Sequence, residues 1–210
     1  MIGVIDYGAG NLGSIMNALK RLDVKARFVV GPEELTSYPP FDKIIFPGDG
    51  NFASAMASIE KSGYADAIKE WIKADKPFLG ICIGLQLLFD TSEEAPPVNG
   101  KDVLGLQVIS GKVKRFPGRK VPQIGWNSTT ATQPASPESK LFRGLPDNCF
   151  FYYIHSYYAD PEDKSVSAAE AEYYIPYCSA VEQGGLAAVQ FHPEKSGAWG
   201  LRLLQNWAEG

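Results

Sequence analysis

The sequence predicts an α/β protein with a wound, largely parallel sheet that gains antiparallel strands in its second half. Strand-like and helix-like runs alternate over roughly the first ninety residues, which is typical of a parallel sheet covered by helices. The second half changes to successive strand-like runs with turn signals such as Gly184-Gly185, which favour antiparallel pairing. A chain of 210 residues with 45% hydrophobic content is most simply one domain over residues 1–210.

The first half contains one clear amphipathic helix and two buried strands. Asn11 is a candidate helix cap, and apolar residues follow it at helical spacing: Leu12, Ile15, Met16, Leu19 and Leu22. Residues 44–46 read as a short buried strand and residues 65–74 as a helix. Residues 77–81 form the apolar strand that leads to Cys82.

The second half contains six strand-like runs and a final helix. The runs cover residues 106–109, 111–116, 149–155, 165–173, 175–182 and 186–191. Residues 201–207 are predicted to form the last helix. Residues 129–139 are rich in Thr, Pro and Ser, and we expect them to form a surface loop.

Composition excludes several classes of function. A net charge of -4 and the absence of a basic stripe argue against nucleic-acid binding. No apolar stretch reaches membrane-spanning length, and no signal peptide is expected at the start. The three cysteines, Cys82, Cys149 and Cys178, have irregular spacing, so neither a disulfide framework nor a metal site is predicted. A reducing cytoplasm is the expected location.

Cys82 lies in residues 80–84 (Gly-Ile-Cys-Ile-Gly), between an apolar strand and a helix-like run. A thiol at the apex of a strand, tight turn and helix is a nucleophile elbow with sulfur in place of oxygen. The N–H of Ile83 would open the helix and could donate to an oxyanion. The alternative is a small buried cysteine on a core strand.

Only two histidines, His155 and His192, could serve as the imidazole base that a cysteine nucleophile needs. His192 ends a strand-like run and is followed by Pro193 and Glu194. Residues two apart on extended chain share a side, so Glu194 could accept a hydrogen bond from His192 and fix its tautomer. Cys82, His192 and Glu194 thus supply a nucleophile, a base and an orienting carboxylate. The alternative for His192 is a hydrogen-bonded histidine at a strand end.

A competing motif occurs near the start of the chain. Residues 8–13 fit GxGxxG after a strand, and Glu33 follows about twenty residues later, as in a dinucleotide site. Two residues separate the strand from the first glycine, however, and Glu33 lies beyond the second strand. We therefore expect no nicotinamide cofactor, and no cofactor of any other kind is predicted.

Through the elbow and the His-Pro-Glu run, the sequence resembles the class I (triad) glutamine amidotransferases. It is most similar to the glutaminase subunits of imidazole glycerol phosphate synthases. The resemblance covers nearly the whole chain through residues 5–11, 47–50, 80–89, 125–127, 151–157 and 190–196. Asp49 and Gln123 depart from the family, which more often has an apolar residue and a histidine there. The resemblance implies a flavodoxin-like wound sheet.

The resemblance also implies a reaction and its residues. Glutamine would be hydrolysed through a glutamyl thioester on Cys82. Its ammonia would pass to a cyclase subunit, in a heterodimer, that makes imidazole glycerol phosphate and an aminoimidazole carboxamide ribotide for histidine biosynthesis. The second oxyanion donor would come from Gly48 and Asp49, although an ordinary turn is an alternative reading of that loop. The implied substrate-binding residues are Gln86, Glu94, Tyr152, His155, Ser156 and Tyr157, and the implied interface residues are Asn11, Gln123, Trp126 and Lys195.

Alternatives remain open at this point. His155 could be purely structural, and Trp126 could belong to the core. The chain could be an amidotransferase subunit for tryptophan, purine or pyridoxal synthesis, or a stand-alone cysteine hydrolase acting on larger substrates. A regulatory scaffold with an inactive site is disfavoured because Cys82, His192 and Glu194 are all present.

Overall fold

A computed structural model describes residues 1–8, 10–36, 41–132 and 139–210, which form a twelve-stranded sheet with six α-helices. The strands are β1 (Ile2–Ile5), β2 (Ala26–Val29), β3 (Lys43–Gly48), β4 (Phe78–Cys82), β5 (Thr91–Ser92), β6 (Gly111–Arg115), β7 (Gln123–Ala131), β8 (Cys149–His155), β9 (Tyr157–Pro161), β10 (Ser167–Tyr173), β11 (Ile175–Gln183) and β12 (Leu186–Val189). The helices are α1 (Leu12–Arg21), α2 (Glu33–Thr36), α3 (Phe52–Lys61), α4 (Tyr64–Lys73), α5 (Ile83–Gln86) and α6 (Gly197–Glu209).

The parallel part of the sheet has the strand order β2-β1-β3-β4-β12. Strands β1, β4 and β12 are buried along their whole length, as expected for central parallel strands covered on both faces. The carboxyl ends of β3 and β4 are level, with Gly48 opposite Cys82, and Val189 of β12 is opposite Ile81. Residues that follow these three strands therefore meet at one edge of the sheet, where ligands bind in wound α/β folds.

Antiparallel strands extend the sheet beyond β12. The order continues β12-β11-β10-β7-β8, and a branch connects β11 to β9, β6 and β5. The predicted fold class, a wound parallel sheet with antiparallel strands added in the second half, is confirmed. Within the described ranges, no helix is long and apolar enough to span a bilayer.

The first predicted helix is confirmed as α1. The Asn11 side chain accepts a hydrogen bond from the backbone N–H of Ser14, which satisfies one free donor at the helix start. Ile15 and Leu19 are buried against the sheet, as their spacing predicts. Helix α4 likewise buries Ile68 and Trp71, so the periodicity in this half of the chain identified the core faces correctly.

Two strand and loop predictions were wrong. Residues 106–109 form no strand, because the N–H groups of Leu106 and Val108 donate instead to carbonyls of Leu87 and Leu88 just after α5. Leu106 and Ile109 are still buried there, which explains the misleading pattern. Residues 129–131 belong to β7 rather than to a loop, and the Thr129 hydroxyl is hydrogen-bonded to Tyr153. Residues 133–138 of the predicted loop lie outside the described residues.

Several element boundaries also differ. Helix α5 ends at Gln86, because residues 87 and 88 form turns, and α6 begins four residues earlier than predicted and extends to Glu209. A short 3₁₀ turn, Lys164–Val166, precedes β10. Strand β9 and helix α3 were not identified from the sequence.

Candidate active site

Cys82 lies at the junction of β4 and α5 with φ 56° and ψ -109°. A positive φ is costly for a residue with a side chain, and strain of this kind concentrates at functional sites. The cysteine is 5% exposed and borders a cavity. Its backbone conformation is the strained turn that a nucleophile elbow requires.

The glycines on either side of Cys82 allow close packing and do not themselves adopt positive φ. A Cβ atom on Gly84 would overlap the carbonyl oxygen of Phe46 in β3. A Cβ atom on Gly80 would lie 2.8 Å from the carbonyl oxygen of Gly84 and 3.0 Å from the Cβ of Ala188. The glycines therefore let α5 approach β3 and β4, while the cysteine bears the strain.

His192 and Glu194 form a buried pair beside Cys82. Nδ1 of His192 lies 2.9 Å from Oε1 of Glu194, and both side chains are almost fully buried. A carboxylate can only accept, so Nδ1 carries a proton and Nε2 is the basic nitrogen of the neutral ring. Burial acts to lower the pKa of His192, but interactions with Cys82 and Glu194 outweigh it and raise the pKa to about 10. The pair thus favours a protonated imidazole next to the sulfur.

The backbone around His192 is fixed by β8. The N–H of His192 donates to the carbonyl of Tyr152 at 2.9 Å. The Ser196 hydroxyl donates to the carbonyl of His192 and accepts from the N–H of Tyr152. Tyr152, predicted to bind substrate, lies behind His192 and does not line the cavity. Its ring packs edge-on against Trp126.

The cavity at Cys82 has a volume of about 390 Å³. A larger cavity, about 760 Å³, contains none of the predicted residues. In the described ranges, no group of three or more His, Cys, Asp or Glu side chains is arranged to hold a metal ion. The predicted residues that line the cavity at Cys82 are Asn11, Asp49, Ile83, Gln86, Glu94, His155, Ser156, Tyr157, His192 and Lys195.

Two buried amides connect the cavity wall to the sulfur. Nε2 of Gln86 donates to the carbonyl of Tyr157 and to Oε1 of Gln190, each at 3.1 Å. Nε2 of Gln190 lies 3.8 Å from Sγ of Cys82. Oε1 of Gln86 is buried without a partner. Gln190 was not predicted as a site residue, although a glutamine at the end of the apolar β12 run was a usable signal.

Glu94 is held at the start of α3. Its Oε2 accepts a hydrogen bond of 2.8 Å from the N–H of Phe52, at the positive end of that helix. Burial raises the pKa of Glu94, and this hydrogen bond opposes the rise. Glu94 is therefore a fixed carboxylate on the cavity wall rather than solvated loop charge.

His155 is buried between aromatic rings, and Tyr177 and Phe116 are neighbours. Nδ1 lies 2.7 Å from the carbonyl of Tyr157, so Nδ1 carries the proton. Burial lowers the pKa of His155 to about 4. This histidine is neutral at physiological pH, and it shapes the cavity wall that Tyr157 also forms.

Acid should destabilise the protein through His155. The unfolded histidine binds a proton near pH 6.5, while the folded one does so near pH 4, so the free energy of unfolding should fall as pH drops between these values. The loss attributable to His155 is on the order of 3 kcal/mol. Urea unfolding of wild type and His155→Asn from pH 7.5 to 4.5 measures it, since asparagine keeps a donor without a titrating ring. Parallel pH dependences in the two proteins would contradict this assignment.

The loop after β3 is tied to the first loop of the chain. The Asp49 carboxylate accepts a hydrogen bond of 2.9 Å from the N–H of Gly10. Gly10 belongs to the GxGxxG match, whose Ala9 lies outside the described residues. The backbone N–H of Gly10 is already used in this hydrogen bond to Asp49. A Cβ on Gly48 would lie 2.7 Å from the Cβ of Ile83, which places the loop directly against the start of α5.

Tyr7 is a second residue that the sequence reasoning did not identify. Its hydroxyl is buried beside Gly48 and has no hydrogen-bond partner among the residues that the structure describes. Burial, followed by the charges of Asp49 and Cys82, raises the pKa of Tyr7 well above its usual value. Tyr7 therefore offers an unused O–H donor next to the predicted oxyanion loop.

The four predicted interface residues have different environments. Gln123 is buried, and its Oε1 accepts from the Tyr177 hydroxyl at 3.1 Å, so its side chain is not presented at the surface. Asn11 and Lys195 line the cavity. Trp126 is 56% exposed, which excludes a core role, and it belongs to an exposed apolar surface on strands β7 and β8. We call this surface the β7–β8 face; its residues are Ile124, Trp126, Phe150 and Ile154.

The chain is similar over nearly its whole length to proteins of one known family. The family described as "Glutamine amidotransferase class-I" matches residues 3–209. The chain is 44% identical over 209 residues to "Imidazole glycerol phosphate synthase subunit HisH" of Moorella thermoacetica, covering 99% of this chain and 94% of that protein. It is 42% identical to the protein of the same name from Chlorobaculum tepidum, with complete coverage of both.

Solved structures show the same fold at low sequence identity. A crystal structure described as a glutamine amidotransferase aligns with a TM-score of 0.72 at 20% identity, covering 99% of this chain and 97% of that one. A chain of PurLQS from Thermotoga maritima aligns with a TM-score of 0.73 at 15% identity and the same coverage. The full-length matches in sequence place this chain in the class I glutamine amidotransferase family and, within it, among the HisH subunits.

Proposed function

We propose that this chain is the glutaminase subunit of an imidazole glycerol phosphate synthase, which releases ammonia from glutamine for use by a cyclase subunit in a heterodimer. The observation that carries the chemistry is the strained Cys82 elbow beside the buried His192–Glu194 pair, at the mouth of a cavity. The full-length similarity to HisH proteins supports the pathway, histidine biosynthesis.

In the first half-reaction, Sγ of Cys82 attacks the carboxamide carbon of glutamine. The oxyanion is stabilised by the N–H of Ile83, which opens α5 and has no acceptor within the helix. A second donor comes from the loop at Gly48 and Asp49. Protonated His192 gives its proton to the departing nitrogen, and the C–N bond breaks to leave ammonia and a glutamyl thioester.

In the second half-reaction, water replaces ammonia. Neutral His192 takes a proton from the water, whose oxygen attacks the thioester carbon. The C–S bond breaks, glutamate leaves, and the sulfur departs as a thiolate. Glu194 keeps Nδ1 of His192 protonated throughout, so that Nε2 remains the nitrogen that exchanges protons.

The cavity suits one amino acid. At about 390 Å³ it lies at the small end of ligand pockets, which favours glutamine over a peptide. The unpartnered Oε1 of Gln86 is available to accept from an N–H group of the substrate. Glu94 supplies a carboxylate for the substrate ammonium, and His155, Ser156 and Tyr157 also line the cavity.

The β7–β8 face is the proposed docking surface for the cyclase. Four large apolar side chains are exposed together there, and such patches are uncommon on surfaces that remain in water. Ile154 belongs to this face and also lines the cavity, so a partner seated on the face would lie next to the cavity in which ammonia is released. Trp126 is the proposed anchor, because exposed aromatic residues dominate binding energy at many interfaces.

A cognate cyclase should stimulate glutamate release by this chain. Glutamate released from glutamine is measured with the purified chain alone and with increasing cyclase and its nucleotide ligand. Trp126→Ala should raise the cyclase concentration needed for half-maximal stimulation about thirtyfold, the effect of losing an interface anchor.

The matched control is Phe28→Ala, which truncates another exposed aromatic residue, on edge strand β2. It should leave the half-maximal cyclase concentration unchanged. Robust activity that the cyclase does not alter would instead indicate a stand-alone cysteine hydrolase. Equal effects of Trp126→Ala and Phe28→Ala would refute the assigned docking surface.

A reducing cytoplasm is the proposed location. The mechanism needs a free thiol at Cys82, and Cys82, Cys149 and Cys178 are all unpaired. Reducing compartments keep such thiols free.

A further inference from the structure

The Cys82 sulfur has a second buried polar neighbour besides His192. Gln190, the first residue after β12, is completely buried, and its Nε2 lies 3.8 Å from Sγ. Its backbone N–H donates to the carbonyl of Ser179 at 2.8 Å, which fixes the base of the side chain. A primary amide within hydrogen-bond distance of a reacting sulfur needs an explanation beyond filling space.

The orientation of the Gln190 amide is determined by its neighbours. The carbonyl of Tyr157 can only accept, so Gln86 must direct Nε2 towards it. The other N–H of that same nitrogen points to Gln190, which must therefore present Oε1. The remaining end of the Gln190 amide, its NH₂ group, is then directed at Cys82. A reversed Gln190 would place its NH₂ group against the NH₂ group of Gln86.

We infer that Gln190 is a catalytic residue whose side-chain N–H donates to the Cys82 thiolate, and that Gln86 is the positioning residue that orients it. This inference rests on the proposed cysteine chemistry and adds a donor to it. The negative charge resides on sulfur before attack and again when the thioester is hydrolysed. A donor at sulfur lowers the free energy of both states, and a hydrogen bond to a charged acceptor is stronger than one to a neutral acceptor.

The arrangement also connects substrate binding to the nucleophile. Tyr157 begins β9 and lines the cavity, and its carbonyl is the first acceptor in the chain that ends at Sγ. A shift of this strand would release Gln86 and, through it, Gln190. The sulfur is therefore oriented from two directions, by the His192 pair and by an amide chain from the substrate wall.

The test follows the reactivity of Cys82 and requires neither glutamine nor a cyclase. The rate of Cys82 alkylation by iodoacetamide is measured from pH 5 to 10 on the full chain, with peptide mass spectrometry separating Cys82 from Cys149 and Cys178. Gln190→Leu should raise the midpoint of the pH profile by about one pH unit, the size expected for losing a hydrogen bond to a charged group. Alkylation below the midpoint should become about tenfold slower.

Two further variants separate this role from packing. Gln190→Glu keeps the shape but replaces the NH₂ group with a carboxylate oxygen, so the lost donor and the added negative charge should together raise the midpoint by more than Gln190→Leu does. Asn206→Leu removes a buried amide on α6 that donates to the carbonyls of Leu141 and Arg143, outside the cavity at Cys82, and it should leave the midpoint unchanged. The other titratable groups that interact with Cys82, His192 and Tyr7, are unaltered in all variants, as are their charged neighbours Glu194 and Asp49.

Thermal unfolding establishes whether each variant is folded. If Gln190→Leu does not fold, the test uses Gln190→Glu instead. A midpoint within error of wild type in a folded Gln190 variant would overturn the inference. A midpoint that rises equally in Asn206→Leu would also overturn it, because the effect would then reflect general loosening. Loss of cyclase stimulation bears only on the proposed function and leaves this result unaffected.

Discussion

Cys82→Ala is expected to lower glutamate release by about 10⁴-fold or more, since removal of a covalent nucleophile leaves only binding and oxyanion stabilisation. The backbone should be retained, because alanine carries the same Cβ that the φ of 56° already accommodates. Glutamate release in the presence of the cyclase is the measurement, and cyclase binding by the variant establishes that its surface is intact.

The matched control for this prediction is Cys149→Ala. Cys149 is also a buried free cysteine, and its thiol donates to the carbonyl of Pro146 at 3.0 Å, away from the cavity. It should retain near wild-type turnover. Substantial activity in Cys82→Ala would remove Cys82 as the nucleophile and with it the thioester mechanism.

Gly84→Ala is expected to cause a large loss of stability. The new Cβ would overlap the carbonyl oxygen of Phe46, and both groups belong to backbone that cannot rotate away. Helix α5 would have to move off β3, at a cost of about 3 kcal/mol in the free energy of unfolding. The same movement displaces the N–H of Ile83, so glutaminase turnover should fall with it. Urea unfolding and glutamate release measure the two effects.

Gly13→Ala is the matched control for the added methyl group. Gly13 lies in the first turn of α1, and apart from its chain neighbours and the backbone of α1 itself, no atom of the described residues lies within 4 Å of its would-be Cβ. Alanine is the better helix former there, so the free energy of unfolding should rise by up to about 1 kcal/mol. A folded and fully active Gly84→Ala protein would show that α5 does not need this close approach.

Local patterns were sufficient for much of the fold. The spacing of Ile15 and Leu19 predicted the buried face of α1, and the apolar run before Cys82 predicted β4, because burial on a helix or a central strand leaves a periodic or continuous pattern. The same reasoning was wrong for residues 106–109. The Leu106 and Ile109 side chains are buried, but the backbone N–H groups of this segment donate to carbonyls of residues 87–89, and apolar content does not report hydrogen-bond partners.

Strand alternation explains why only the structure could distinguish the buried Gln123 from the exposed Trp126 among the predicted interface residues. Gln123 lies one residue from exposed Ile124 and three from exposed Trp126, and the side-chain period of two places Gln123 on the opposite, buried side of β7. The sequence around residues 123–127 contains too few strongly apolar residues to reveal that register. The paired strand β8, which supplies Phe150 and Ile154, made the exposed apolar surface visible.

By itself, the sequence determined the fold class, the family and the candidate residues Cys82, His192 and Glu194, because each depends on residue type and on spacing within short segments. Only the tertiary structure decided that Gln190 reaches the sulfur, that Tyr7 ends beside Gly48 and that Asp49 binds the N–H of Gly10. These contacts join residues from 39 to 108 positions apart. Their existence depends on the register of neighbouring strands and on the close approach of backbones, which local sequence patterns do not encode.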